Sequence, residues 1–145
     1  MQRSKENRTN IRMIRSLLDT DYAICKDLFQ TVFHPSIHGH FSAVWKIRAE
    51  SLGLWVHGAL IGFALVSGMK LEYICINESQ QGRGHGSRLL HAVLSLYPAL
   101  YLVPVDDVKV CKWYESHGFH LEFIKESRGH TVRRYVRHGY SLRNL

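Results

Sequence analysis

The segment from Gln81 to Gly86 places three glycines, at positions 82, 84 and 86, within six residues. It follows an apolar run over residues 71–76 that is typical of a buried strand. It leads into residues 87–94, where apolar side chains recur at helical spacing. Because glycine has no Cβ, the backbone can turn its N–H groups inward at the start of a helix, where the helix dipole adds positive potential. This strand–turn–helix segment predicts a backbone site for an anion, most simply a pyrophosphate.

Two well-known phosphate loops do not fit this spacing. The dinucleotide-binding loop needs G-x-G-x-x-G and the P-loop needs G-x-x-x-x-G-K-[ST], whereas the glycines here fall at every second position. The pattern that fits is Gln-x-x-Gly-x-Gly, formed by Gln81, Gly84 and Gly86. About thirty residues later, residues 113–119 read Trp-Tyr-Glu-Ser-His-Gly-Phe, which contains Tyr-x-x-x-Gly-Phe. The interval between the two motifs has the length of a helix, a strand and a second helix.

Together these two motifs resemble the GCN5-related N-acetyltransferase (GNAT) superfamily, over residues 53–123. The resemblance implies an α/β fold, with a mixed, mostly antiparallel twisted sheet of about seven strands and helices on both faces. It also implies an enzyme that moves an acetyl group directly from acetyl-coenzyme A to a primary amine in a ternary complex, without a metal. The acceptor under this resemblance is a small amine such as a polyamine, or a protein amine.

The same resemblance gives two residues catalytic roles. Tyr114 is expected to protonate the departing thiolate, since a phenol with a pKa of about 10 is protonated at neutral pH. The alternative for Tyr114 is an aromatic side chain packed in the core. Glu72, on the strand before the loop, is expected to draw a proton from the amine through water, and the alternative is an exposed glutamate with no role in catalysis.

The coenzyme A contacts implied by the resemblance fall on the loop, the strand before it and the start of the later helix. Backbone amides around Ile76 or Cys75 are expected to face the thioester carbonyl where the strand bulges. Asp107 stands where the family often has Asn, and it is also a good helix N-cap. The predicted cofactor-binding residues are Ile74, Ile76, Gln81, Gly82, Arg83, Gly84, His85, Gly86, Ser87 and Asp107.

Three histidines lie between the first two predicted helices, at positions 34, 38 and 40. They lack the dense ligand spacing of known zinc sites, so we expect no metal there. In the family this region shapes the choice of substrate, and we therefore expect the loop to line the acceptor site.

Composition bounds the remaining possibilities. The 145 residues suit one acetyltransferase domain, with a polar, mobile tail over residues 1–9 and no signal peptide. The sequence has no apolar run of about 18 residues, so no membrane contact is expected. Its three cysteines, at positions 25, 75 and 111, form no CxxC pair. Scattered thiols of this kind predict a reducing, cytoplasmic location.

The net charge of +7 is concentrated at the two ends of the chain. The basic residues at the two ends are expected to be solvated surface residues that aid solubility. The alternative is that they contact a polyanion. Although no RNA-binding motif is present, acetylation of an amine carried on RNA, such as aminoacyl-tRNA, stays open. So does a non-catalytic module that binds acyl-coenzyme A. The sequence also leaves the oligomeric state open, a homodimer included.

Hydrophobic periodicity and turn residues predict the order of the elements. Strands are expected at residues 11–15, 54–56, 60–66, 69–76, 99–105, 119–124 and 131–137. Helices are expected at residues 22–33, 42–51, 87–97 and 107–117. His57-Gly58 and Arg128-Gly129 are the predicted tight turns of two hairpins.

Overall fold

The computed structural model describes residues 12–138. The tail predicted over residues 1–9 lies outside this part of the chain, as do residues 139–145. Within the described range the strands are β1 (Met13–Ser16), β2 (Leu52–Val56), β3 (Ala59–Ser67), β4 (Lys70–Ile76), β5 (Tyr101–Leu102), β6 (His120–Ser127) and β7 (His130–Val136). The α-helices are α1 (Tyr22–Val32), α2 (His40–Lys46), α3 (His85–Leu96) and α4 (Val108–Ser116). Single 3₁₀ turns lie at Asp19–Asp21, Pro35–Ile37 and Glu78–Gln80.

The seven strands form one sheet in the order β1-β2-β3-β4-β5-β7-β6. Only β4 and β5 are parallel neighbours, and the other pairs are antiparallel. Both predicted hairpin turns form, with positive φ at His57 and Gly58 and again at Arg128 and Gly129. Two consecutive residues with positive φ match the right-handed twist of the flanking strands. The mixed, mostly antiparallel sheet predicted from the sequence is confirmed.

Helices cover both faces of the sheet, each through its own apolar cluster. On one face, α3 and α4 bury residues such as Leu90 and Tyr114 against Leu54 and Ala64. On the other face, α1 and α2 bury residues such as Phe29 and Trp45 against Phe63. Burying apolar area contributes about 25 cal/mol per Å², so these two layers hold the helices to the sheet.

A β-bulge lies at Glu72 in β4. Leu71 pairs with Val66 and Tyr73 pairs with Leu65, which leaves Glu72 as the extra residue. The bulge shifts the alternation of side chains by one residue. Leu71 therefore packs in the same cluster as Ile76, while Tyr73 packs on the opposite cluster. The sequence placed a bulge at Cys75 or Ile76, where the structure shows regular pairing with β3.

The two strands β4 and β5 meet at one point and then diverge. Lys70 pairs with Tyr101. Within the described residues, no other residue of β4 pairs with β5. The predicted strand over residues 99–105 is accordingly reduced to two residues. Pro104 cannot donate a ladder hydrogen bond, and Val103 and Val105 are exposed because no strand lies beside them.

The helix predicted over residues 42–51 instead spans His40–Lys46. The backbone after it bonds to neighbouring segments. The N–H of Ala49 donates to the carbonyl of Val66, and the N–H of Leu17 donates to the carbonyl of Ser51. The Ser51 hydroxyl also accepts from the N–H of Val66. Because these tertiary hydrogen bonds occupy backbone groups that a longer helix would use, the helix ends at Lys46.

Candidate active site

A cleft of about 880 Å³ opens where β4 and β5 diverge. Three parts of the chain line it: the glycine-rich loop at one end, β4 and α4 along the middle, and the α1–α2 connection at the other end. Because the two strands separate after Lys70, every second backbone N–H along the β5 side of β4 faces this space. The cleft thus combines a strand edge with backbone donors and an apolar wall.

The glycine-rich loop has the backbone conformation that an anion cradle requires. Gly82 and Gly84 have φ values of 79° and 82°, a left-handed conformation that L side chains rarely adopt. A Cβ added at either position would meet no atom within 4 Å, so the space in front of the loop is open. Gly84 is the N-cap of α3 and makes no side-chain cap bond. The first N–H groups of α3, at His85, Gly86 and Ser87, lack helical acceptors by geometry and are free to bind an anion.

Two contacts hold this loop against the sheet and α4. The Gln81 side-chain amide donates to the carbonyl of Ile76 over 3.1 Å, which fixes the loop to the end of β4. A Cβ at Gly86 would lie 3.5 Å from the Trp113 ring, so α3 and α4 are closely packed there. The Gln81 side chain thus holds the loop to β4, and the absence of a side chain at Gly86 lets α3 approach α4.

The predicted cofactor residues on the loop differ in what their side chains do. The Arg83 guanidinium extends to Gln80 over 3.4 Å at the surface. The His85 ring is buried, and its Nδ1 has no hydrogen-bond partner within the described residues. Burial lowers the pKa of His85, with smaller contributions from Arg12 and Arg83. His85 thus contributes a backbone N–H to the cradle while its ring lies in the protein interior.

Tyr114 lies on α4 and lines the middle of the cleft. Its ring packs against Phe119 and Trp113, with centroids 5.6 and 5.0 Å away. The side chain is buried, and this desolvation raises the pKa of the phenol well above its usual value of about 10. The hydroxyl therefore keeps its proton throughout the neutral and moderately alkaline range, as a proton donor must.

A hydrogen bond from β7 to the residue after Tyr114 connects α4 to the sheet. The Tyr135 hydroxyl on β7 donates to Glu115 Oε2 over 2.9 Å. Burial and the Glu115 hydrogen bond raise the pKa of Tyr135, and neighbouring Cys111 adds to this. This contact was not predicted from the sequence, because two residues twenty positions apart give no local signal of pairing.

Glu72 lines the same cleft from the bulge on β4. Its carboxylate lies 3.2 Å from the Lys70 ammonium, and 18% of its side chain is exposed. Ile74 and Ile76 line the cleft beside it. The structure thus brings Glu72 and Tyr114 to one cleft, as the sequence predicts, although their catalytic roles stay predictions.

Asp107 stands apart from the other predicted cofactor residues. One of its carboxylate oxygens accepts from the N–H groups of Lys109 and Val110, over 2.8 and 3.1 Å. It therefore caps α4, and it is not among the residues that line the cleft. Its neighbours Lys109 and Val110 line the cleft instead, although no motif in the sequence marks them as site residues.

The α1–α2 connection closes the far end of the cleft through Val32, Phe33, Ile37 and His40. The other two histidines of this segment have local structural roles. His34 Nδ1 accepts from the N–H of Ser36, and His38 Nε2 bonds to the carbonyl of Phe33. Within residues 12–138, no three His, Cys, Asp or Glu side chains lie close enough together to hold a metal.

A family model described as "Acetyltransferase (GNAT) domain" matches residues 44–121, more than half of the chain. The chain belongs to the GNAT acetyltransferase family. Members of this family are acyl-coenzyme A-dependent N-acetyltransferases. No curated protein matches the chain significantly.

Solved GNAT structures share the fold over nearly their whole length. A GNAT-family protein from Desulfovibrio desulfuricans superposes with a TM-score of 0.75 at 15% identity, covering 87% of this chain and 98% of that one. The ribosomal-protein-S18-alanine N-acetyltransferase of Escherichia coli gives 0.70 at 20% identity, covering 87% and 91%. The PaiA N-acetyltransferase of Thermoplasma acidophilum, in complex with coenzyme A, gives 0.66 at 13% identity, covering 88% and 98%. At these identities the likeness is one of fold.

Two observations bear on the predicted location and redox state. Within the described residues, none of the helices has the length and hydrophobicity to cross a membrane. Cys25, Cys75 and Cys111 are free and buried. The cytoplasmic location stays a prediction.

Proposed function

We propose that this protein is an N-acetyltransferase that moves an acetyl group from acetyl-coenzyme A directly to a primary amine. The observation that carries the proposal is the single cleft between β4 and β5. The glycine loop, Tyr114 and Glu72 all line this one continuous cavity. One ligand can therefore lie with its phosphates at the loop and its reactive end between these two side chains.

The residues present fit coenzyme A. The open space before Gly82 and Gly84 admits a pyrophosphate, and the N–H groups of His85, Gly86 and Ser87 supply donors at a helix N-terminus. Ile74, Ile76, Val110 and Trp113 give the cleft apolar walls for a pantetheine arm. When bound, acetyl-coenzyme A supplies an acyl thioester as the reactive group.

Two groups of the chain stabilise the transfer in this proposal. The backbone N–H of Ile76, which lies on the free side of β4, donates to the oxygen that gains negative charge. The Tyr114 hydroxyl, which is protonated at neutral pH, gives its proton to the departing sulfur.

Glu72 is the proposed proton acceptor for the amine. An alkylammonium with a pKa of about 10 is protonated at neutral pH and cannot attack a thioester. The Glu72 carboxylate at the cleft wall can take this proton through a bridging water. Lys70, 3.2 Å away, fixes the position of the carboxylate.

The acceptor in this proposal is a small-molecule amine or a protein amine. The Escherichia coli protein of the same fold carries the name of an N-acetyltransferase for an alanine of a ribosomal protein, which supports a protein amine. No described feature favours RNA over either of these acceptors.

Release of free coenzyme A thiol, measured over a panel of amines and peptides, tests the proposal. We expect release that requires both acetyl-coenzyme A and an amine, with an acetylated amine as the product. Tight binding of acetyl-coenzyme A by calorimetry, with no release above the uncatalysed rate for any amine, would contradict it. That result would instead indicate a module that only binds acyl-coenzyme A.

A further inference from the structure

The end of the cleft opposite the glycine loop is predominantly apolar and aromatic. Phe33 and Ile37, from the α1–α2 connection, line it together with Tyr73 of β4. The Phe33 and Tyr73 rings lie 5.6 Å apart, and Phe29 braces both rings, with centroids 4.6 and 4.8 Å away. All three lining side chains are half-buried against the core of that face, so part of each remains free to contact a ligand.

Tyr73 lies in a low-dielectric environment. Burial raises the pKa of its phenol, and the neighbouring Glu72 charge raises it further. The same burial makes this end of the cleft favourable for apolar groups and unfavourable for an unpaired charge.

The cleft lining is poor in negative charge. Among the described residues that line it, Glu72 carries the single carboxylate, and this carboxylate is already paired with Lys70. Lys109 adds a positive charge near the middle of the cleft, and His40 lies at the far end. A ligand with one ammonium can place it at Glu72, but a second ammonium finds no second carboxylate in the lining.

We infer that the acceptor is an amine with one positive charge and an aromatic or large aliphatic group within a few bonds of the nitrogen. This inference rests on the proposed function and narrows its acceptor. The apolar group packs on Phe33, Ile37 and Tyr73 while the amine lies at Glu72. Polyamines, which carry several charges and no such group, are excluded. The chemistry is shared by free arylalkylamines and by peptides with an apolar first residue.

A panel of acceptors distinguishes these cases. The probes are 2-phenylethylamine, ethylamine, spermidine, and two tetrapeptides that differ only in having Phe or Asp as the first residue. We expect kcat/KM for 2-phenylethylamine to exceed that for ethylamine and spermidine by about 10–100-fold, the range that apolar pockets achieve. If the natural acceptor is a peptide, kcat/KM should be higher for the Phe peptide than for the Asp peptide by a similar factor. The Phe peptide should then also be turned over faster than 2-phenylethylamine. A preference for spermidine over 2-phenylethylamine would overturn the inference while leaving the proposed function intact.

The variant Ile37→Glu tests the apolar wall directly, because it adds the missing second carboxylate. We expect it to lower kcat/KM for 2-phenylethylamine about 10-fold or more and to raise that for spermidine. Ile47→Glu makes the same change at an exposed position at the end of α2, outside the cleft, and is expected to leave both values unchanged. Equal effects of the two variants would contradict the placement of the acceptor.

Binding provides a readout that does not depend on turnover. Calorimetry of N-acetyl-2-phenylethylamine in the presence of coenzyme A is expected to show binding that Ile37→Glu weakens about 10-fold and Ile47→Glu does not. If no amine is turned over but this binding pattern holds, the proposed function fails and the apolar site stands. If the product does not bind, or binds the wild type and Ile37→Glu equally, the apolar site fails.

Discussion

The two ends of the cleft differ in the chemical groups that line them: backbone groups at one end and side chains at the other. At the proposed phosphate end, backbone N–H groups and the conformation of Gly82 and Gly84 form the surface, and the Gln81 side chain holds the loop in place. At the proposed acceptor end, side chains from separate elements form the surface, among them Glu72, Tyr73 and Phe33.

This difference has a physical consequence. A backbone cradle recognises a group common to many ligands, because every residue carries the same N–H. A surface made of side chains recognises the shape and charge of one class of ligand, because each amino-acid substitution changes the shape and charge of that surface. Substitutions at each end can therefore show whether function depends on side chains at one end and on backbone at the other.

The largest expected effect is on the proton donor between the two ends. Tyr114→Phe should slow turnover by roughly 10²–10⁴-fold while leaving acetyl-coenzyme A affinity unchanged, since the ring still packs and only the proton is lost. Steady-state kinetics and calorimetry measure the two quantities. Tyr135→Phe is the matched control, because it removes another buried hydroxyl that does not line the cleft. Wild-type turnover in Tyr114→Phe would remove Tyr114 from the mechanism.

The next effect tests the backbone cradle. Gly84→Glu should weaken acetyl-coenzyme A binding by about 10²–10³-fold, because a side chain enters the open space before the loop and brings a negative charge to the phosphates. Gly58→Glu is the control, since Gly58 has a similar φ of 77° and equally free surroundings in the β2–β3 turn. Loss of affinity in both variants would trace the effect to general strain. Undiminished affinity in Gly84→Glu would place coenzyme A elsewhere.

A smaller effect is expected at the acceptor end. Glu72→Gln should lower kcat by about 10–100-fold near neutral pH, and the gap should narrow as pH rises towards 10 and free amine becomes abundant. The pH profile of kcat for both proteins tests this expectation. Glu122→Gln removes another ion-paired carboxylate, 2.8 Å from Arg134, that does not line the cleft. A variant-to-wild-type ratio of kcat that is constant from pH 7 to 10 argues against a base, and a change in KM alone indicates a binding role.

The smallest expected effect on binding concerns the His85 side chain. Because its backbone N–H serves the cradle while its ring is buried, His85→Leu should change acetyl-coenzyme A affinity by no more than about 3-fold. A large loss of affinity would show that the phosphate end also depends on this side chain.

The same variant should alter stability with pH. The folded-state pKa of His85 lies below its unfolded value, so the unfolded chain binds more protons and stability falls as pH drops below about 6.5. Leucine removes both this dependence and the buried Nδ1 without a partner, which typically costs about 1–3 kcal/mol. Urea unfolding at pH 5 and pH 7 is expected to show a smaller acid loss in His85→Leu. An equal loss in both proteins would contradict the proposed cause.

Much of the phosphate end was predictable because its signal is local. Three glycines within six residues, between a strand and a helix, indicate an unusual turn conformation, and the structure shows the left-handed φ values at Gly82 and Gly84. The anion stays a prediction. The hairpins at His57-Gly58 and Arg128-Gly129 were predictable for the same reason. Asp107 was predicted both as a helix cap and as a cofactor contact, and the structure supports the first role directly.

The acceptor end was less predictable because its residues are distant in the sequence. Nothing local shows that the Phe33 and Tyr73 rings lie 5.6 Å apart, or that Glu72 rather than Cys75 or Ile76 occupies the bulge. The length of β5 was predicted wrongly for a similar reason. Residues 99–105 have strand composition, but a strand needs a neighbour, and β4 turns away after Lys70.

The sequence alone determined the order of the elements, the two hairpin turns, the anion cradle and the position of Tyr114 within its motif. Backbone conformation and hydrophobic periodicity act over a few residues, so the chain encodes them locally. The tertiary structure decided where β4 and β5 separate, which side chains line the space between them, and how many charges that space can pair. These features arise from contacts between elements such as the α1–α2 connection and β4, and contacts of this kind exist only once the chain has folded.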